Sequence, residues 1–381
     1  MTEEPYGQPA YHLDCRSFRG SVPCEPHKRD GRACGGCDAY DPVVDQVLVV
    51  KLGAMGDVLR TTALLPEILA AHERAAVTWI ARAESLALLR AAPLVDRAFS
   101  AEMAPAILAT RRFAAVYALD ADEEALALAG AAHATVRRGY RAGDHGRAVG
   151  VEPPGDETLF RLGLGDDAKR ANRRSYLELL ASAAALRWSG RRPELTVREA
   201  VADEVRAELS ELPRPWIGVN AGGSNRWQHK RWSANNLAGF VARLHDEGMS
   251  TVLFGSGDDA TANARLAARF GPRVRSFASE GSTDRLFAAI AQLDALVTTD
   301  TLAMHAAWSL SRPIVALVGP TSAAELDLAA DDIKLTAELE CLACYRARCD
   351  VVRHCMALLT PDIVFGALRA RLARSAAVLA G

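Results

Sequence analysis

An aspartate behind two glycines is the residue of this chain best placed to do chemistry. In VLVVKLGAMGDVLRTTALLP, an apolar run of strand character at 47–50 feeds into Lys51-Leu-Gly-Ala-Met-Gly56-Asp57. A helical apolar pattern follows at Val58, Leu59, Ala63, Leu64, Leu65, Ile68 and Leu69. Strand, glycine turn and helix start together make an edge where backbone N–H groups face a ligand. Gly53 and Gly56 remove side chains where that ligand comes close, and Asp57 aims a carboxylate at the same place. The motif is neither G-x4-G-K-[ST] nor G-x-G-x-x-G. Read locally, Asp57 serves equally well as a helix N-cap.

The second half supplies cations. Ala221-Gly-Gly-Ser224 is followed by Asn225-Arg-Trp-Gln-His-Lys230-Arg231-Trp232. Glycines after a strand and then positive charge suit a phosphate, through backbone donors and the cations; the alternative is a flexible basic loop. Gly255-Ser-Gly-Asp-Asp259 follows another strand, where Asp258 can hold ribose hydroxyls or cap a helix. Thr298-Thr-Asp300-Thr301 opens a helix carrying Met304 and His305, a second place to neutralise a diphosphate. Val318-Gly-Pro-Thr-Ser322 ends the next strand on the same edge.

The eight cysteines fall into two groups, Cys15, Cys24, Cys34, Cys37 and Cys341, Cys344, Cys349, Cys355. Four thiolates from short polar loops suit a tetrahedral metal, structural zinc first and iron second. An iron–sulfur cluster also takes four cysteines. His12, His27 and His354 lie close enough in sequence to substitute as ligands, with a surface role as the alternative. A reducing compartment argues against disulfides.

These residues must be positioned by alternating strands and helices. Strands are expected at 46–51, 77–81, 114–119 and 135–139, then at 216–220, 251–254, 274–277, 295–299 and 314–318. Helices are expected near 57–73, 84–91, 122–130 and 174–186, then 235–247, 259–270, 283–293 and 301–310, with an amphipathic last helix at 361–379. Such alternation means parallel sheets covered on both faces, with ligands at strand C-terminal ends. Leu212-Pro-Arg-Pro215 is the stiffest connector and the best boundary. The expected organisation is a cysteine-rich extension at 1–42, a first domain at 43–212, a second at 213–360 containing the cysteine segment 341–355, and a C-terminal helix at 361–381. No internal repeat stands out. With 381 residues and a net charge of −2, the chain suits two domains and gives no reason to expect a nucleic acid partner. No apolar run is long enough to span a bilayer, and the polar start MTEEPYGQPAYHLD does not look like a secretory signal, so a cytoplasmic location is expected.

Taken together, these segments resemble glycosyltransferase family 9, the ADP-heptose:lipopolysaccharide heptosyltransferases. VLVVKLGAMGDVLRTTALLP is similar to that family's N-terminal signature. AGGSNRWQHKRW, TTDTLAMHAAWSLSRPIVALVGPTS and CLACYRARCDVVRHCM are similar to later segments, the last to one found in part of the family. The resemblance runs over about 46–380. It implies an α/β fold of the GT-B type, with two Rossmann-like parallel-sheet domains facing a cleft and cysteine-rich loops near both termini. It also implies inverting sugar transfer in lipopolysaccharide biosynthesis, from a nucleotide-sugar donor (ADP-heptose) to a saccharide or glycolipid acceptor, with at most peripheral membrane contact. By the same resemblance Asp57 is the general base. Gly56, Lys230, Arg231, Asp258, Asp300, Thr301 and His305 would bind the donor, and no catalytic metal is expected. Two departures stand out: Leu302 replaces the glycine usual after the Asp-Ser/Thr pair, and the N-terminal cysteine group lies outside the family's core. The competing readings are a non-catalytic GT-B scaffold with structural metal sites, or a GT-B sugar-nucleotide epimerase or hydrolase.

Overall fold

The computed structural model describes residues 11–223, 229–278, 281–346 and 348–380, with side chains up to 375. The five residues 224–228 of the glycine–cation loop therefore lie outside the described residues. The first sheet comprises β1 (Gln46–Val50), β2 (Ala76–Ala81), β3 (Arg97–Ser100), β4 (Arg112–Ala118), β5 (His133–Ala142) and β6 (Ala148–Val151). The second comprises β7 (Trp216–Asn220), β8 (Ser250–Phe254), β9 (Val274–Phe277), β10 (Ala295–Thr299), β11 (Ile314–Leu317) and β12 (Ile333–Leu335). The strand orders are β3-β2-β1-β4-β5-β6 and β12-β11-β10-β7-β8-β9. Numbered within its own domain, the second sheet repeats the order of the first, a likeness with no sequence repeat behind it. All pairings are parallel except β5 with β6.

The central strands are apolar runs because helices cover both faces. β2 and β10 are buried at every residue, and β1 after its first. In each sheet the order reverses beside its first strand, β1 or β7. The loops leaving those strands therefore open into the crevice where open α/β sheets bind ligands.

The helix expected over 57–73 is broken into Met55–Thr61, a 3₁₀ turn at Thr62–Leu64, and Leu65–Ala70. Pro66 has no N–H to continue the ladder. Thr61 and Thr62 donate their hydroxyls back to Asp57 O at 2.6 Å and Leu59 O at 2.7 Å, a habit that bends helices.

The two domains share one apolar core. Leu59, Leu64 and Leu88 of the first domain belong to the same cluster as Phe287, Met304 and Trp308 of the second. Helix Leu302–Ser309 is buried from Ala303 to Ser309 because it packs against Met55–Thr61 on one side and β10 and β11 on the other. Helix Glu199–Leu209 packs along Thr283–Gln292, with Glu208 ion-paired to Arg285 at 2.8 Å. The last helix, Pro361–Ala380, turns Val364, Phe365 and Leu368 inward against β11 and β12 and leaves Ile363 outside. No helix among the described residues is long and apolar enough to cross a membrane.

Candidate active site

Asp57 sits in the first turn of Met55–Thr61, but it is not the cap. That position belongs to Ala54, which makes no side-chain cap bond. The Asp57 carboxylate instead takes Arg60 Nη2 at 2.5 Å and keeps 37% of its side chain open to the crevice. Burial alone would raise its pKa. Arg60, then Lys51 and His305, outweigh that and hold the carboxyl below its ordinary value. It is thus an ionised, accessible acceptor of protons.

A buried network fixes the turn that carries it. Asp120, at the C-terminal end of β4, accepts Leu52 N–H at 2.5 Å and Gly53 N–H at 2.8 Å. Lys51, 2% exposed, donates to Asp120, to Leu119 O at 3.0 Å and to Tyr176 Oη at 2.9 Å. Burial would lower the Lys51 pKa, but Tyr176 and Asp120 reverse this and keep the ammonium charged. The Tyr176 ring also lies 3.7 Å beneath the Arg60 guanidinium. The second domain reaches this network: Tyr176 N–H donates to Glu325 O at 3.2 Å, and Leu177 N–H to Asp327 Oδ2 at 3.1 Å.

Across the crevice, Asp300 leaves β10 and accepts Lys230 Nζ at 2.7 Å, with His305 Nε2 at 3.7 Å. Burial would raise the Asp300 pKa; His305 and Lys230 overcome it and drive the carboxyl far down. Thr301 is the N-cap of Leu302–Ser309 without a side-chain cap bond, its hydroxyl 3.2 Å from that of Thr298. Leu302 has helical backbone, so the missing glycine does not break the turn. His305 is 3% exposed, with Nδ1 unpartnered.

Gly56 closes the gap between domains. A Cβ there would lie 2.9 Å from His305 Cδ2 and 3.4 Å from Leu302 N. Its small size serves the domain contact at least as directly as any ligand.

The structure brings Asp57, Gly56, Lys230, Asp300, Thr301 and His305 together. Asp258 is not part of this group. It stands exposed on the first turn of Asp258–Phe270. Its neighbour Asp259 engages Arg231 Nη1 at 2.5 Å, while Arg231 Nη2 donates to Gly223 O at 2.9 Å. A Cβ on Gly222 would come 2.4 Å from Asp259 Oδ2, so the glycine loop is shaped around this carboxylate. Sequence reasoning also passed over Arg60, Asp120 and Tyr176. Arg60 had a usable signal, three residues after Asp57 on one helix face.

All eight cysteines are free, and among the described residues no three His, Cys, Asp or Glu side chains come together as a metal ligand set. Cys15, Cys24, Cys34 and Cys37, with His12 and His27, line one largely apolar cavity, where His12 N–H donates to Cys34 Sγ at 3.2 Å. Ion pairs hold that segment instead: Arg16 bonds Asp41 and Asp96, each at 2.7 Å, and Ala75 O at 2.9 Å. In the second group Cys355 lies half-buried; burial raises its thiol pKa, and the neighbouring Cys344, Cys349 and Cys341 raise it further.

Two parallel-sheet α/β domains facing each other across a crevice at their strand C-terminal ends define a GT-B fold. The family model for glycosyltransferase family 9 (heptosyltransferase) matches residues 170–353. The match spans 184 residues, just under half of the chain. The match takes in Lys230, Asp300 and His305 and stops short of Asp57 and the N-terminal cysteines. Lipopolysaccharide heptosyltransferase 2 of Escherichia coli is 36% identical over 135 residues, 34% of this chain and 38% of that protein. The chain thus spans little more than a third of the length of the curated relatives it matches. Among solved structures, ADP-heptose heptosyltransferase II of E. coli has a TM-score of 0.65 at 24% identity, over 87% of this chain and 99% of that one. A family 9 glycosyltransferase of Veillonella parvula has a TM-score of 0.67 at 19% identity, over 88% and 99%. These likenesses establish the fold.

Proposed function

We propose that this protein transfers a sugar, with inversion, from a nucleotide diphosphate donor to a hydroxyl of a saccharide or glycolipid acceptor. The observation that carries the reading is a juxtaposition. An ionised, partly open Asp57 faces the Lys230–Asp300–Thr301 group across a crevice closed by Gly56 against Leu302 and His305. Inverting transfer needs a base for the incoming hydroxyl and cations for the departing diphosphate. Asp57 takes the proton as the acceptor oxygen attacks the sugar carbon. The C–O bond to the diphosphate breaks on the opposite face, and its charge falls on Lys230, Arg231 and the N–H groups at the start of Leu302–Ser309. Asp300 holds Lys230 in place, and Asp259 does the same for Arg231. Leu302 and Ala303 are the residues whose N–H groups the helix leaves unpaired at this end.

The relatives and solved neighbours named above are heptosyltransferases and a family 9 glycosyltransferase, and this supports ADP-heptose as donor and a lipopolysaccharide precursor as acceptor. A cytoplasmic site of action follows from such a donor and acceptor. In this reading the step is written through protein cations, and the cysteine segments stay outside it.

Thermal shift against a panel of nucleotide diphosphates and nucleotide sugars, ADP-heptose included, tests the donor half. A selective rise lost in Lys230→Ala and retained in Asp57→Ala is expected, because base and donor contacts are separate. No response to any nucleotide would overturn the reading and favour a binding scaffold.

A further inference from the structure

The end of the first sheet opposite the crevice carries a second concentration of charge. Arg97 and Arg112 start β3 and β4 beside Gln46, which starts β1, and Arg111 directly precedes β4. β1 is five residues long with Gln46 its first, so about 17 Å of strand at the usual rise lies between this end and the crevice end. Phe18 and Arg19 of the N-terminal segment close over this end, where Arg97 Nη2 donates to Phe18 O at 3.2 Å. Together these six residues line an open cavity of 450 Å³.

The cavity has four guanidiniums and no carboxylate in its wall. Among the described residues, none of Arg19, Arg97, Arg111 and Arg112 has an acidic partner within ion-pair distance, whereas the neighbouring Arg16 has two. Arg111 is partly desolvated over the Phe99 ring at 5.1 Å; burial and then Arg97 push its pKa down. Like charges gathered without counter-charge disfavour one another, and a bound anion would reverse the sign of that interaction. The planar fork of arginine matches phosphate oxygens two at a time.

We propose that this cavity, formed jointly by the N-terminal segment and the first sheet, binds a phosphate-bearing anion of at least two negative charges. It gives the N-terminal segment a role that the crevice does not. Its size exceeds a lone phosphate and suits a diphosphate or a phospholipid headgroup. The site is independent of the transfer reaction proposed above.

The test is calorimetric titration with inorganic pyrophosphate in the Lys230→Ala background, which takes the crevice's own phosphate cation out of the measurement. Binding is expected to persist there, to weaken with salt, and to fall at least about tenfold in Arg19→Gln/Arg112→Gln. Both guanidiniums of that pair are exposed, so the fold should survive; Arg97→Gln is the companion variant. Sedimentation with phosphatidylglycerol vesicles, against phosphatidylcholine vesicles, separates the sources. Arginine-dependent retention on the anionic vesicles assigns a headgroup; pyrophosphate binding without retention assigns a soluble anion. Absence of both, or binding untouched by the arginine variants, overturns the proposal.

Discussion

Replacing Asp120 with alanine should be the most damaging single change near the crevice that touches no substrate. Lys51 is 2% exposed and the Asp120 side chain 14%, so the pair is nearly out of water. Removing Asp120 leaves a buried ammonium with only Leu119 O and Tyr176 Oη, and it takes the acceptor from Leu52 and Gly53 N–H. Breaking one side of a buried pair costs about 3–5 kcal/mol. An orphaned buried N–H costs about 1–3 kcal/mol, and the contributions overlap because water can enter at the open edge of Asp120. The expected loss is therefore about 3–5 kcal/mol, read as a lowered urea midpoint by circular dichroism with the slope unchanged. Lys51→Met/Asp120→Leu removes both charges, leaving Leu52 and Gly53 N–H without Asp120 and Leu119 O and Tyr176 Oη without Lys51. It should lose only about 1–3 kcal/mol. A single variant losing less than about 1 kcal/mol, or a double variant as damaged as the single, would refute the argument that the unpaired charge dominates.

Other outcomes follow from the same contacts. In Arg60→Gln the nearest cation leaves Asp57 and burial then dominates, so its pKa rises. The acid limb of the kcat/KM profile should move to higher pH, and an unmoved limb would mean that Arg60 does not set the Asp57 protonation. In Gly56→Ala the new methyl meets His305 at 2.9 Å and Leu302 N at 3.4 Å. The domains must part, at about 1–3 kcal/mol, and an unchanged Tm would show a slack junction. In Asp327→Asn the Leu177 N–H keeps an acceptor while a buried carboxylate disappears. Burial raises the Asp327 pKa above its unfolded value, so its ionised form destabilises the fold at neutral pH; that cost fades as pH falls through the raised folded value and is gone below the unfolded one. A Tm gain at neutral pH that vanishes near about pH 4 is expected, and a gain independent of pH would point to packing instead.

The parts of this protein legible in its sequence are those whose partners are local or generic. Trp216–Asn220, Val274–Phe277 and Ala295–Thr299 occupy the residues expected of them, because each is an apolar run bounded by turn-forming or polar residues. β3, β6 and β12 read RAFS, AVGV and IKL, too short or mixed to show a period. Asp57, Lys230 and Asp300 could be gathered in advance because each follows the C-terminal end of a buried strand, where open α/β sheets place ligands. Asp258 lies apart from them for a geometric reason. One residue along a helix turns a side chain by about 100°, so Asp259 faces the crevice and Asp258 faces solvent. The cysteines are a different case: spacing reports what a loop can reach, whereas a ligand set also depends on what anchors the loop, as Arg16 anchors the N-terminal one.

The support for Asp57 was hidden because its members are remote in sequence and meet only across sheet edges. Lys51 and Tyr176 lie 125 residues apart, and Leu177 and Asp327 lie 150 apart in different domains. Periodicity reveals which face of an element is covered, never which charge lies beyond the cover. That distinction decides how Asp57 behaves. Burial pushes its pKa up; Arg60, held flat on Tyr176, is the largest of the charges that pull it back down. Tyr176 is in turn pinned by Glu325 from the second domain, so the protonation state of a first-domain aspartate depends on how the second domain is docked.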